Sequence, residues 1–88
     1  RTNLGTVPDY GAGEEVVGVR LSGVRPDGPA DRAGIRRGDV IVGLGATEIR
    51  NLYDYTFALR QHKPGETATL RLRRDGREVT LPVTFGSR

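Results

Sequence analysis

The chain has 88 residues, enough for one small domain, and 35% of them are hydrophobic with no Trp or Met, so its core must be small and largely aliphatic. It has no cysteine and one histidine, which excludes disulfides and thiolate metal sites, argues against a histidine-based one and leaves no cofactor to expect. The net charge of +3 rests on 13 Arg and a single Lys, but Asp27, Asp31, Asp39, Asp75 and Glu78 interleave with the arginines. That pattern reads as a solvated basic surface rather than a nucleic-acid interface, because no groove-reading motif accompanies it.

Thr6-Val7 reads as a short strand ended by Pro8-Asp9, after a turn at Leu4-Gly5. Gly11-Ala12-Gly13-Glu14-Glu15 is expected to be a polar loop. Val16 to Leu21 alternates, with Val17, Val19 and Leu21 in one phase, as a half-buried strand does. Ser22-Gly23 then shifts the phase before Val24, which predicts a bulge or bend. Pro29 fits the first position of a short helix through Ala33, Gly34 its left-handed cap, and Ile35 the apolar residue that packs back on the helix end.

Gly38-Asp39 predicts a turn into the strand Val40–Leu44, and Thr47-Glu48-Ile49 a few more extended residues. Asp39 is a candidate for capping that turn. Asn51 is a good N-cap, with Asp54 three residues on, for a helix from Leu52 to about His62 that Pro64-Gly65 ends. Tyr53, Tyr55 and Phe57 are spaced by two, so they cannot share one helical stripe and some must face outward. Thr67–Arg74 alternates with Ala68, Leu70 and Leu72 on one face. Asp75-Gly76 is a two-residue hairpin loop, and the returning strand puts Val79, Leu81, Val83 and Phe85 on one face. The order predicts an α+β fold: a small antiparallel β-sandwich or partly open barrel of five to six strands, capped by two helices.

Catalytic constellations are missing. His62, the one histidine, sits at a helix end beside Lys63-Pro64-Gly65 and reads as a solvated residue, not a triad base. Gly11-Ala12-Gly13 and Gly43-Leu44-Gly45 lack the later residues that phosphate loops require. No pair of acids forms an evident acid–base dyad, so the chain is not expected to be an enzyme. No apolar run approaches a membrane span, so membrane insertion is not expected. The sequence opens on Arg1-Thr2-Asn3, and residues 1–88 read as a single domain cut from a longer protein.

The stretch Gly18 to Ile41 resembles a PDZ domain closely, through Gly28-Pro29-Ala30, Ala33-Gly34-Ile35 and Gly38-Asp39 ahead of Ile41. Pro64-Gly65 and Arg74-Asp75-Gly76 match the bacterial branch. The resemblance covers essentially the whole chain. It is to the modules of HtrA-type serine proteases and, by Leu4-Gly5 into Pro8-Asp9-Tyr10 and Asn51-Leu52-Tyr53-Asp54-Tyr55, especially to those attached to secreted zinc aminopeptidases. It implies a permuted sheet, in which the final strand around Thr80–Phe85 fills the place of the usual first strand. It also implies a non-catalytic accessory module of a bacterial peptidase, in an extracytoplasmic setting.

By the same resemblance, Asn3-Leu4-Gly5-Thr6 falls on the carboxylate-binding loop, with the amides of Leu4, Gly5 and Thr6 holding the C-terminus of a peptide added as a strand beside Thr6, Val7 and Pro8. Leu52, Thr56 and Leu59, on one helical face, would form the other wall. Leu4 and Leu59 would line the pocket for an apolar last side chain. Leu52 implies an apolar residue two places before it. Tyr55 and Ala58 would face the core, with Ala33, Ile41, Leu70, Leu72, Val79 and Leu81. Thr6 stands where an apolar residue is usual, implying a shallower or partly polar pocket, and Pro8 has no N–H to offer the ladder. The partners implied are peptide or protein C-termini, or the catalytic domain of a parent peptidase against which the module packs.

Overall fold

The hairpin over Asp75-Gly76 anchors the architecture. Both residues have positive φ, 53° and 78°. That conformation matches the twist of the flanking strands, so β6 (Thr67–Arg74) and β7 (Arg77–Thr84) pair in register along their whole length. The structure is a computed structural model that describes residues 2–11 and 15–87. Most of the polar loop expected at Gly11–Glu15 lies outside the described residues.

Before the hairpin come β1 (Thr2–Asn3), β2 (Thr6–Pro8), β3 (Val19–Val24), α1 (Pro29–Ala33), β4 (Val40–Leu44), β5 (Thr47–Glu48) and α2 (Leu52–Arg60); β8 (Gly86–Ser87) follows it. The main sheet runs β2-β3-β4-β6-β7, with β5 on β4, all antiparallel and open at β2 and β7. A separate ribbon joins β1 to β8, pairing Thr2 with Ser87 and Asn3 with Gly86. The main sheet thus has six strands among the described residues, as expected, the short one at Thr47-Glu48 included. Only β1 and β8 come in addition, each of two residues and too short to show an alternation.

The expected strand at Val16–Leu21 is displaced. β3 begins at Val19 and continues to Val24, with Val19 and Leu21 buried and Val17 exposed. Gly18 explains the late start. Its φ is +119°, its N–H bonds the Arg50 carbonyl, and a Cβ there would lie 2.6 Å from the Ile41 carbonyl oxygen. The chain thus enters the sheet by a close approach that only glycine permits. The bulge expected at Ser22-Gly23 is present: Val7 pairs with Gly23 but Pro8 with Leu21, leaving Ser22 as the extra residue.

Helix α1 begins with its proline and ends at Gly34 in the left-handed region, whose N–H bonds Asp31; Ile35 N–H then reaches back to Ala30 and its side chain is buried. Helix α2 is capped by Asn51, whose side chain accepts from the Asp54 N–H at 2.8 Å, and it stops at Arg60 rather than His62. Leu4, Leu21, Ile35, Ile41, Leu44, Ile49, Leu70, Leu72 and Val83 fill the core, closed by Tyr55 and Ala58 from α2 and Phe85 after β7. Ala33, Val79 and Leu81 pack at its margin.

Asp39 is the one buried charged residue among those described. It takes the Arg36 N–H at 2.8 Å and both arms of the Arg74 guanidinium at 2.9 and 2.7 Å, locking the turn before β4 to the end of β6. Burial works to raise its carboxyl, but the Arg74 fork and the Arg36 amide outweigh it and hold the group below its ordinary value. His62 departs from expectation. It is not simply solvated: its ring stacks on Phe85 at 4.7 Å, its Nδ1 lies 3.2 Å from Glu66, and its side chain is 20% exposed.

Candidate functional site

Between α2 and the open edge of β2 lies a groove of about 230 Å³, lined by Leu4, Gly5, Thr6 and Pro8 on one side and Leu52, Thr56 and Leu59 on the other. Seven of the eight residues singled out from the sequence therefore come together. The exception is Val7, whose side chain turns away from the groove and is 42% exposed. The alternation of β2 requires this, since Thr6 and Pro8 take the opposite face. Leu4 contributes as floor rather than wall, being only 1% exposed.

The loop at the head of the groove is set by Gly5, with φ +72°. A Cβ there would meet only ordinary contacts, Arg25 Cβ at 3.5 Å and Pro29 Cδ at 3.7 Å. The glycine is thus needed for conformation, not for space. The Leu4 carbonyl accepts from Ala30 N–H and the Gly5 carbonyl from Arg25 N–H, both at 2.8 Å. In a trans peptide unit the N–H points opposite to the C=O. The N–H groups of Gly5 and Thr6 therefore point away from α1 and β3. The N–H groups of Leu4 and Gly5 have no partner among the described residues.

The same Arg25–Gly5 bond fixes the edge of β2. It brackets Thr6 and Val24 as a non-hydrogen-bonded pair, so Thr6 presents both its N–H and its C=O to the open side. Val7 then faces β3, and Pro8 faces out again with a carbonyl but no N–H. The edge past the loop offers one donor, at Thr6.

Thr6 also does something the sequence did not suggest. Its hydroxyl lies 2.7 Å from the phenol of Tyr55, joining β2 to α2 beneath the groove. Tyr55 is 3% exposed, and burial pushes its phenol up to about 12, with the Thr6 bond pulling the other way. A hydroxyl in place of an apolar side chain is thus explained by a buried phenol that needs a partner. On the same helix the Thr56 hydroxyl turns back to the Leu52 carbonyl at 3.0 Å. Tyr53 and Phe57 face outward, 86% and 54% exposed, as their spacing demanded.

Sequence reasoning set Asn3 in the loop without giving its side chain a role, and it missed Arg25 as a groove residue. Both line the head of the groove, and the Asn3 side-chain Nδ2 is buried with no acceptor. Arg25 comes from the end of β3, twenty residues from the loop, and only the β2–β3 register could have placed it there. A shared hollow continues the groove past Pro8 and Leu52 toward Tyr10, Arg20 and Arg50. No cluster of potential metal ligands occurs among the described residues, and no helix is long and apolar enough to cross a membrane.

Comparison with known proteins gives a consistent family. A family model described as "PDZ domain" matches residues 4–85. A "Probable periplasmic serine endoprotease DegP-like" of Marinomonas sp. (strain MWYL1) is 34% identical over 71 residues, covering 81% of this chain and 15% of the relative. The chain thus spans about a seventh of the curated relatives it matches. Among solved structures, "HtrA-type protease AlgW with decapeptide" matches with a TM-score of 0.87 and 29% identity, over 100% of this chain and 30% of that one. An aminopeptidase N family protein from Idiomarina loihiensis matches with a TM-score of 0.81 over 98% of this chain and 14% of that one; at 24% identity it shares the fold.

Proposed function

The chain belongs to the PDZ domain family, and from that premise we propose that it is the peptide-binding module of a larger bacterial peptidase and takes the free C-terminus of its ligand. The domain itself is non-catalytic, as accessory domains of this kind are. The ligand would add as a strand to the open edge of β2, with its carboxylate at the Leu4, Gly5 and Thr6 amides. The observation that carries this reading is the loop at Gly5: its carbonyls are tied to Ala30 and Arg25, so its N–H groups are left facing the groove. Such a concavity of amides suits an anion. Leu4, Leu52 and Leu59 favour apolar side chains at the last residue and two places before it. Thr6 makes the first of these pockets shallow and partly polar. An extracytoplasmic setting fits the periplasmic relatives.

Titration of a labelled peptide ending in Val, as free acid and as C-terminal amide, tests the proposal. The acid should bind more tightly; equal binding of the two would remove carboxylate recognition.

A second reading rests on Tyr53 and Phe57, four residues apart on the outer face of α2 and both exposed. In that reading the module packs on the catalytic domain of its parent by this aromatic face without capturing a free C-terminus. A peptide library that yields no ligand, together with altered parent activity on Tyr53→Ser and Phe57→Ser substitution, would favour it.

A further inference from the structure

The main sheet has a second open edge, β7, at the opposite side from the groove. The two-residue loop at Asp75-Gly76 makes Arg74 and Arg77 the hydrogen-bonded pair that closes the hairpin. By the alternation of an antiparallel ladder, Arg77, Val79, Leu81 and Val83 then turn their backbone groups to β6. Glu78, Thr80, Pro82 and Thr84 turn theirs outward. These four residues are exposed, and no other backbone group bonds Glu78, Thr80 or Pro82 from that side among the described residues. Such a row of groups is a template for another strand. Pro82 interrupts it, since it offers a carbonyl but no N–H. Pro8 faces outward on β2 in the same way, so each open edge carries a proline where an added strand would need a donor.

The strand that fits this edge is the same edge of a second copy. A two-fold contact must match itself, each residue meeting its counterpart reciprocally. Antiparallel copies of β7 centred on Thr80 do so: Thr80 faces Thr80, Glu78 faces Pro82, and Val79 faces Leu81. The Val79–Leu81 pairs fall at the closely spaced positions of the ladder, and they would cover two residues left half-buried at the margin of the core. Glu78 stays clear of its own copy, whereas a register centred on Glu78 would set like charges opposite each other. Pro82 falls opposite Glu78 on both sides of the axis, and each time a ladder bond is lost. We propose that β7 is a second pairing surface of this protein, that its partner is β7 of another copy, and that Pro82 keeps the pairing weak and reversible. The contact is also small, about five residues a side against the roughly 20–30 of a stable interface. It uses the edge opposite the groove and does not rest on the C-terminal reading.

Sedimentation of the 88-residue chain over a concentration series tests this, with the wild type, Pro82→Ala, Pro82→Thr and the double variant Thr80→Lys, Pro82→Thr, each checked by a thermal melt. The wild type should be a monomer at micromolar concentrations. Both single variants restore the outward N–H and should dimerise about thirtyfold more tightly, the worth of two ordinary hydrogen bonds. Adding Thr80→Lys should return the protein to a monomer, because it sets two like charges on the axis. Single variants that fold and associate no more tightly than the wild type would overturn the proposal. A dimer that survives Thr80→Lys would use another surface and overturn the assignment to β7. A measurement on the wild type alone gives a second check. Its Glu78 and Thr80 amide NMR signals should move as the protein is concentrated to the millimolar range, while that of Thr6 on the opposite edge stays in place. Signals at Glu78 and Thr80 that ignore concentration would count against self-pairing whatever the variants do.

Discussion

Raising the pH should destabilise this domain through one residue, Tyr55. Its phenol is 3% exposed and is pushed up to about 12 from 10.0. A group whose acid form is favoured by folding adds stability that is complete below its unfolded value and is lost as pH rises through the folded one. The window is therefore pH 10 to 12. Two units correspond to roughly 3 kcal/mol, about half of which should be gone by pH 11. The composition makes the measurement clean, since the chain has three Tyr and one Lys, and its other basic side chains are arginines and a single histidine. Urea unfolding of wild type and Tyr55→Phe at steps between pH 8 and 11 isolates the effect, because Tyr10, Tyr53 and Lys63 are common to both. The wild type should lose stability relative to the variant across that range. Parallel losses in the two proteins would refute the assignment of a buried, hydrogen-bonded phenol.

The Thr6–Tyr55 bond should behave asymmetrically. Thr6→Val leaves the buried phenol without a partner and should cost about 1–3 kcal/mol, whereas Tyr55→Phe should cost about 1 kcal/mol and the double substitution little more than either alone; additive losses in denaturant titrations would show that the hydroxyls do not interact. Asp39→Asn weakens the Arg74 fork and should cost about 2–3 kcal/mol, less than for a fully buried pair because the Arg74 side chain is 21% exposed. Because the Asp39 carboxyl is held below 3.8, its contribution is present above that pH and lost on acidification, so the variant should lose less stability than wild type in an acid titration. Pro8→Ala restores an outward N–H on β2, and calorimetry should find free-acid peptides bound about fivefold more tightly, one ordinary hydrogen bond's worth; unchanged affinity would mean that the ligand does not pair at Pro8.

Local signals carried most of the fold. The Pro29 start and Gly34 cap of α1, the Asn51 cap of α2 and the Asp75-Gly76 turn each depend on one or two residues with narrow conformational choices, and all were legible. The start of β3 was not, because Val16 and Val17 continue an apolar pattern that Gly18 interrupts only through its contact with the Ile41 carbonyl, a partner 23 residues away. The walls of the groove were legible through the family resemblance, with helical periodicity adding only that Leu52, Thr56 and Leu59 share one face. Its chemistry was not: Thr6 meets Tyr55, and Arg25 meets Gly5, across gaps in sequence that periodicity does not span. His62 looked solvated for the same reason, since its partner Phe85 arrives with the final strand.

Pro8 also sets a clock. Among related complexes most differences in affinity appear in the dissociation rate. A ladder short of one bond, about 1 kcal/mol, implies a ligand that leaves roughly five times sooner than it would from an edge with an amide at that place. The bulge at Ser22 of β3 breaks the regular β2–β3 register at the same place, between Val7 and Pro8. On the proposed reading, a module with this edge samples chain ends and lets them go. Its occupancy would follow the supply of free C-termini rather than storing any one of them, which suits a domain that reports to a neighbouring catalytic unit more than one that tethers a cargo.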